Sequence, residues 1–271
     1  MIELALAGLL ALLCLALLQR SGRLGFVATE LATTPQRLAG LGLLWAILLA
    51  CVFYPTVVPG DAAAIDPATV WFPALFTAHA LLLAFLFAWW RLAGKPDLRR
   101  FLQWNEASLG VVRLGVAVGV VGWLLAIFAN LIATTAFLIL GWLATLIGLG
   151  SGEVVPLTTE VPALLIWLAE LPLLQRLIVV AVAMTVEEAF YRGYLQPRIG
   201  WIPSSVLFAL SHAGYGLPAL MVSVFVISLA IGWALRETRS LVPCIVAHGV
   251  FDAIQLLVVM PWAVELLRDG A

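Results

Sequence analysis

The sequence predicts an all-α, polytopic membrane protein with about eight transmembrane helices. Of its 271 residues, 64% are hydrophobic and only 11% are charged. A soluble domain usually carries about 25% charged residues, because its surface faces water. Apolar segments that approach the width of a bilayer recur along the chain, and basic residues lie in alternate connections between them. The net charge of −1 gives no reason to expect a nucleic-acid partner.

Eight apolar segments account for this prediction. A helix needs about 20 apolar residues to cross the hydrocarbon core. The candidate spans are residues 2–18, 38–58, 70–90, 111–135, 172–196, 204–216, 218–235 and 241–264. The apolar run 110–149 is too long for one span and short for two. We interpret it as one long span with an external extension, since two spans would break the charge alternation downstream. The sixth segment is short for a span.

The basic residues predict the orientation. Twelve of the fourteen lie on alternate connections. They are Arg20, Arg23, Arg37, Arg91, Lys95, Arg99, Arg100, Arg113, Arg192, Arg198, Arg236 and Arg239. The opposite connections contain Asp61, Asp66, Glu153 and Glu160 and no basic residue. The positive-inside rule makes the basic connections cytoplasmic. It places both chain ends outside, which favours a retained first span over a cleaved signal peptide. The excess of Arg over Lys favours a bacterial inner membrane as the location.

Ionisable residues inside the predicted spans are concentrated in the last 90 residues. Such side chains cost several kcal/mol in a bilayer, so they mark a functional site or a paired contact. Glu187 and Glu188 lie in the fifth segment, His212 in the sixth, and His248 and Asp252 in the eighth. With a rise of about 1.5 Å per residue, the three segments place these groups about 10 to 17 Å from the same cytoplasmic surface. We therefore expect them to meet in one layer.

Helical spacing predicts the partners within this layer. Glu188 and Arg192 are four residues apart and share a helix face, so they are expected to form an orienting or structural ion pair. Glu187 points about 100° away from Glu188. His248 and Asp252 are also four apart. We expect Glu187, His212 and His248 to be the reactive set, with Asp252 as a further candidate. His79 has no acidic partner within its own span and is interpreted as structural.

Three motifs carry a resemblance to a known family. They read Glu187-Glu188-x-x-x-Arg192, Phe208-x-x-x-His212 and His248-x-x-x-Asp252. In these motifs the chain resembles the CPBP family of CAAX proteases and bacteriocin-processing enzymes, also called Abi proteins, which includes the Ras-converting CAAX endopeptidases. The resemblance covers roughly residues 110–260. It implies one membrane domain over residues 1–271, with family-variable spans in 1–109 and a catalytic core in 110–264.

The resemblance also implies a function. It implies a glutamic, metal-independent intramembrane endopeptidase that needs no cofactor and acts near the cytoplasmic side. Glu187 and His212 would activate a water molecule, and His248 would donate to the oxyanion. The expected partners are the lipid bilayer and a peptide or protein substrate, prenylated or membrane-embedded. Where the family has Asn or a related residue, this chain has Asp252. An ionised Asp cannot donate a hydrogen bond, so it is either protonated or accepts from His248; we favour the second.

Three other functions are compatible with the same residues. A non-catalytic membrane scaffold or bacteriocin-immunity-type protein could use this fold for binding alone, and its phenotype would survive Glu187→Gln. A zinc hydrolase could use two His and one Glu as ligands, although the usual HExxH is absent. A transporter is the third alternative, and the position of the polar residues toward one side argues against it.

Overall fold

A computed structural model describes residues 2–58, 71–105, 107–148 and 163–269, without the side chains of Ala163, Leu164, Leu267 and Asp269. These residues form helices and no strand, which confirms the all-α membrane class. The described part has eight principal helices. They are α1 (Ile2–Arg20), α2 (Thr34–Val57), α3 (Phe72–Leu92), α4 (Leu109–Leu146), α5 (Leu173–Glu188), α6 (Trp201–Ser211), α7 (Pro218–Thr238) and α8 (Val242–Leu266).

Shorter helical segments connect or extend these elements. They are Gly25–Glu30, Leu98–Phe101, Ala163–Glu170, the π-helix Ala189–Leu195 and the turn Gln196–Ile199. The last two continue α5 without a break in the chain direction. Gly200 then adopts a φ of +98°, which an L side chain rarely tolerates, and the chain enters α6. The glycine therefore allows the sharp turn between the helix that contains Glu187 and the helix that ends just before His212.

Six of these helices are long and apolar enough to cross a membrane, among the residues described: α1, α2, α3, α4, α7 and α8. The predicted count of eight is not confirmed. The helix α6 has 11 residues, about 16 Å, and α5 has 16 before it widens into the π-helix. The run 110–149 forms a single helix of 38 residues up to Leu146, as the charge alternation predicted.

The basic ends of the helices meet at one end of the bundle, which we call the basic end. The Arg198 guanidinium pairs with Glu30 at 2.8 Å, and Arg23 donates to the carbonyl of Ile199. The Gln36 amide donates to the carbonyl of Leu92 at 3.2 Å. These contacts bring together the connections that the positive-inside rule assigns to the cytoplasm. The acidic residues predicted on the opposite side, Asp61, Asp66, Glu153 and Glu160, lie outside the described residues.

Small residues on α4 set its distance from α7 and α8. A Cβ at Gly119 would lie 2.6 Å from the carbonyl oxygen of Ala247, and one at Gly115 would lie 2.8 Å from that of Pro243. Close helix contacts through glycine are typical of membrane proteins, where van der Waals packing drives association. On its outer face α4 exposes large apolar side chains, such as Ile132 at 68%, which lipid can cover. This packing holds α8, and with it His248, against the bundle.

The N-terminal helices share one hydrophobic core with the C-terminal ones. Trp89 on α3 is fully buried and lies edge-on to Tyr194, with ring centroids 5.4 Å apart. Phe85 packs against Tyr194 and Phe190 at 5.1 and 5.4 Å. The indole N–H of Trp89 donates to Glu30. The helix α3 is therefore fixed against the segment that follows Glu187 and Glu188.

Candidate active site

The two adjacent glutamates end α5, where the helix widens. Residues Ala189–Leu195 form a π-helix, a feature that often occurs at functional sites. All seven residues of this segment are buried. Gly193 lies against the backbone of Leu102, and a Cβ there would come within 2.9 Å of its carbonyl oxygen. The local packing therefore holds the segment in place and directs Glu187 and Glu188 to different neighbours.

Glu187 lies at the centre of the site, and all three histidines of the chain surround its carboxylate. Its Oε1 lies 3.1 Å from Nε2 of His79. Its Oε2 lies 4.0 Å from Nε2 of His212 and 4.0 Å from Nε2 of His248. The latter two distances are too long for direct hydrogen bonds. One carboxylate oxygen is therefore bound by a side chain, and the other faces two imidazole nitrogens.

Backbone geometry orients His212. Its Nδ1 lies 2.9 Å from the carbonyl oxygen of Phe208, one helical turn earlier. Because a carbonyl only accepts, this nitrogen carries the proton, and in the neutral ring Nε2 is an acceptor. The ring of Tyr215 stacks on His212, with centroids 6.0 Å apart. The nitrogen that faces Glu187 is therefore the basic one.

Two carboxylates contact His248. Its Nδ1 lies 2.9 Å from Oε1 of Glu188, and its Nε2 lies 3.3 Å from Oδ2 of Asp252. Only the charged imidazolium donates from both nitrogens, and two ionised carboxylates favour that form. Both ring nitrogens of His248 thus face carboxylates, whereas Nδ1 of His212 contacts the carbonyl of Phe208 and the hydroxyl of Ser211.

Glu188 and Arg192 form the ion pair that their spacing predicted. The Nε of Arg192 lies 3.2 Å from Oε2 of Glu188, and both side chains are almost completely buried. The guanidinium also donates to Oγ of Ser228 on α7 at 2.9 Å. It stacks over the ring of Phe208 at 4.3 Å. The pair therefore connects α5 with α6 and α7, and through Glu188 with His248 on α8.

The structure brings together every residue that the sequence singled out for the site: Glu187, Glu188, Arg192, His212, His248 and Asp252. Two relationships were missed. His79 contacts Glu187 from α3, and Glu188 contacts His248 as well as Arg192. An ionisable residue inside a predicted span was the available signal for His79. The interpretation of His79 as structural considered acidic partners within its own helix only. Its partner, Glu187, lies 108 residues away in the sequence.

Residues 169–254 match the family model described as type II CAAX prenyl endopeptidase Rce1-like. This segment resembles that family. The match confirms the resemblance inferred from the motifs and covers a narrower range than the predicted 110–260. It contains both glutamates, His212, His248 and Asp252, but not His79. No curated protein and no solved structure matches the chain. With the six membrane-length helices, the match indicates a multi-pass membrane protein with a segment similar to the CAAX-type endopeptidases.

A cavity of about 310 Å³ is lined in part by residues of the matched segment. Glu187, His79, His212, His248 and Asp252 lie on its wall. The rest of the lining is mostly apolar and comes from α3, α5, α7, α8 and the helix Ala163–Glu170. It includes Leu75, Phe76, Leu168, Val179, Ala183, Val224, Ile227, Phe251, Leu256 and Met260. On α5 and α8 these residues lie beyond Glu187 and His248 as seen from the basic end. The cavity therefore extends from the polar layer into the far part of the bundle.

The polar layer formed by Glu187 and the three histidines already engages most of its donor atoms internally. Within the described ranges, no group of three His, Cys, Asp or Glu side chains is placed to hold a metal ion. Nε2 of His248 already contacts Asp252, and Oε1 of Glu187 contacts His79. These contacts occupy donor atoms that a zinc ion would need. The arrangement of these side chains therefore does not fit a zinc site.

Proposed function

We propose that this chain is a glutamic intramembrane endopeptidase. It would hydrolyse a peptide bond in the cytoplasmic half of the membrane, without metal or cofactor. One observation supports this most strongly: Oε2 of Glu187 faces Nε2 of both His212 and His248 at 4.0 Å, on the wall of a largely apolar cavity. His248 lies six residues beyond Val242, about 9 Å from the basic end of α8.

The first step is the attack of water. A water molecule that donates to Oε2 of Glu187 and to Nε2 of His212 would be held between them, since their separation suits a bridged contact. Glu187 takes one proton as the oxygen forms a bond to the scissile carbonyl carbon. The carbonyl π bond breaks, and its electron pair becomes the oxyanion. His212 orients the water through its unprotonated nitrogen.

The second step is stabilisation and collapse of the tetrahedral intermediate. His248, as the imidazolium, donates from Nε2 to the oxyanion, and Glu188 holds the ring through Nδ1. Asp252 accepts from the same Nε2 before the oxyanion forms. As the C–N bond breaks, Glu187 returns its proton to the leaving nitrogen. The products are a carboxylic acid, which ionises, and an amine.

The lining of the cavity favours the binding of an apolar substrate. Its walls are mainly aliphatic and aromatic, with the polar groups gathered near Glu187. The cavity suits a peptide with bulky apolar side chains, a prenylated peptide or a membrane-embedded segment, because each would place apolar groups against its apolar walls. We propose a peptide or protein substrate of this kind, cleaved within a bacterial inner membrane.

The proposal is tested with protein purified in detergent. Wild type, Glu187→Gln and the exposed control Glu237→Gln are incubated with quenched apolar peptides and a farnesylated CaaX reporter, with and without chelator. We expect wild type and Glu237→Gln to cleave the peptides. The cleavage rate of Glu187→Gln should fall about a thousandfold or more, since Gln cannot accept the proton from water. Chelator should leave the rate unchanged.

Two results would overturn the proposal. Cleavage that disappears in chelator and returns with zinc would move the function to a zinc hydrolase. An unchanged set of cleaved membrane proteins in cells carrying wild type or Glu187→Gln, with the cellular phenotype retained, would favour the non-catalytic scaffold. The second comparison uses whole cells, so it does not require the substrate to be among the reporters.

A further inference from the structure

We infer that His79 is a positioning residue for Glu187, supplied by the N-terminal half of the chain. This inference rests on the proposed function. The resemblance begins near residue 110 and the family match at residue 169, so both lie C-terminal to His79. His79 lies on α3, in the part of the chain where no family motif was found. Its role would make the site depend on a helix outside the matched segment.

The contact between His79 and Glu187 joins one ring nitrogen to one carboxylate oxygen. The Nε2 of His79 lies 3.1 Å from Oε1 of Glu187, within hydrogen-bond distance, and both side chains are about 15% exposed. The His79 ring lies beside Phe76, with centroids 5.9 Å apart. The helix that carries it is anchored by the buried cluster around Trp89 and Tyr194. A packed helix therefore holds the donor in place.

The protonation of His79 follows from its neighbours. Glu187 is the acceptor, so Nε2 carries the proton. The other nitrogen, Nδ1, is buried and has no hydrogen-bond partner among the described residues. In the neutral ring it carries no hydrogen, so no N–H group is left unpaired there. The neutral tautomer therefore leaves no N–H group of the ring unpaired, and its Nε2–H donates to the carboxylate of Glu187.

This contact decides which carboxylate oxygen reacts. A carboxylate turns readily about its last side-chain torsion. Binding of Oε1 by His79 restricts that rotation and directs Oε2 toward His212 and His248. A general base must be held close to its productive geometry, since small misplacements cost much of the rate. Without His79, Glu187 would remain but would sample orientations that face away from the two other histidines.

The kinetic test compares three variants. His79→Leu removes the donor, His79→Gln places an amide N–H near the position of Nε2, and Thr77→Val alters an exposed residue of the same helix that contacts Ala74 instead. We expect His79→Leu to lower kcat about 10- to 100-fold with KM changed less than about threefold. We expect His79→Gln to recover most of the loss and Thr77→Val to behave as wild type. A purely structural defect would reduce the yield of folded protein, not kcat per folded molecule.

A stability test does not depend on the substrate. Unfolding in detergent is measured for His79→Leu, Glu187→Leu and the double variant. If the two side chains bind each other, the loss in the double variant is smaller than the sum of the single losses. Additive losses would overturn the inference, as would full activity of His79→Leu. If Glu187→Gln cleaves as well as wild type, the proposed function fails, and the stability cycle still reports on the contact.

Discussion

The Nδ1 of His248 lies 2.9 Å from Oε1 of Glu188, and Oε2 of the same glutamate lies 3.2 Å from Nε of Arg192. A buried network of charged side chains thus connects α5 with the imidazole on α8. Glu188 is fully buried, so it depends on these two partners for the interactions that water would otherwise supply. The second glutamate of the motif is therefore placed to orient His248, while the first faces the cavity.

Arg192→Leu should strongly destabilise the fold. It leaves Glu188 buried beside His248 alone, and the loss of one partner of a buried pair costs about 3–5 kcal/mol. Unfolding in detergent measures the effect, and Arg99→Leu, on an exposed residue, is the matched control. A midpoint equal to that of wild type would contradict the assignment of Arg192 as the partner that stabilises Glu188.

Glu188→Gln should reduce cleavage more than it reduces stability. The amide oxygen of Gln can still accept a hydrogen bond from Arg192 or from His248. Because the amide is uncharged, it does not favour the imidazolium form of His248. We expect kcat to fall about 100-fold, because His248 then donates less well to the oxyanion. The exposed Glu237→Gln serves as the control. If Glu188→Gln keeps wild-type kcat, the carboxylate on Nδ1 has no role in the reaction.

Asp252→Asn tests the position at which this chain departs from the family pattern. The Asp252 carboxylate lies 3.3 Å from Nε2 of His248, and we propose that it accepts from the imidazolium. Replacement by Asn removes one of the two negative charges that favour this form, so we expect kcat to fall about tenfold. The rate of peptide cleavage at saturating substrate measures it. Full retention of cleavage would leave this carboxylate without an essential role.

Gly119→Ala should loosen the contact between α4 and α8. The added Cβ would lie 2.6 Å from the carbonyl oxygen of Ala247, next to His248, so the helices must move apart. Overpacking of this kind costs about 1–3 kcal/mol. Gly42→Ala is the control, since nothing lies within 4 Å of a Cβ there and Ala favours a helix over Gly. Equal stability of the two variants would show that α4 does not set the position of α8.

The sequence by itself determined the relationships that depend on composition and on one helix at a time. The charged fraction of 11% excluded an ordinary soluble surface, and the long apolar segments predicted the helices. The spacing of Glu188 and Arg192, and of His248 and Asp252, predicted two contacts, since residues four apart share a helix face. The basic connections predicted which helix ends meet, and charge alternation predicted a single helix through the run 110–149.

Only the tertiary structure decided the contacts between helices. His79 reaches Glu187 across 108 residues of sequence, and His248 reaches Glu188 across 60. Depth along a helix axis predicted that polar groups would share a layer, but not which faces would turn toward each other. That rotation depends on how small residues such as Gly119 let neighbouring helices approach, and on the π-helix that follows Glu188. Local spacing carries no information about either, because both arise from packing between distant segments.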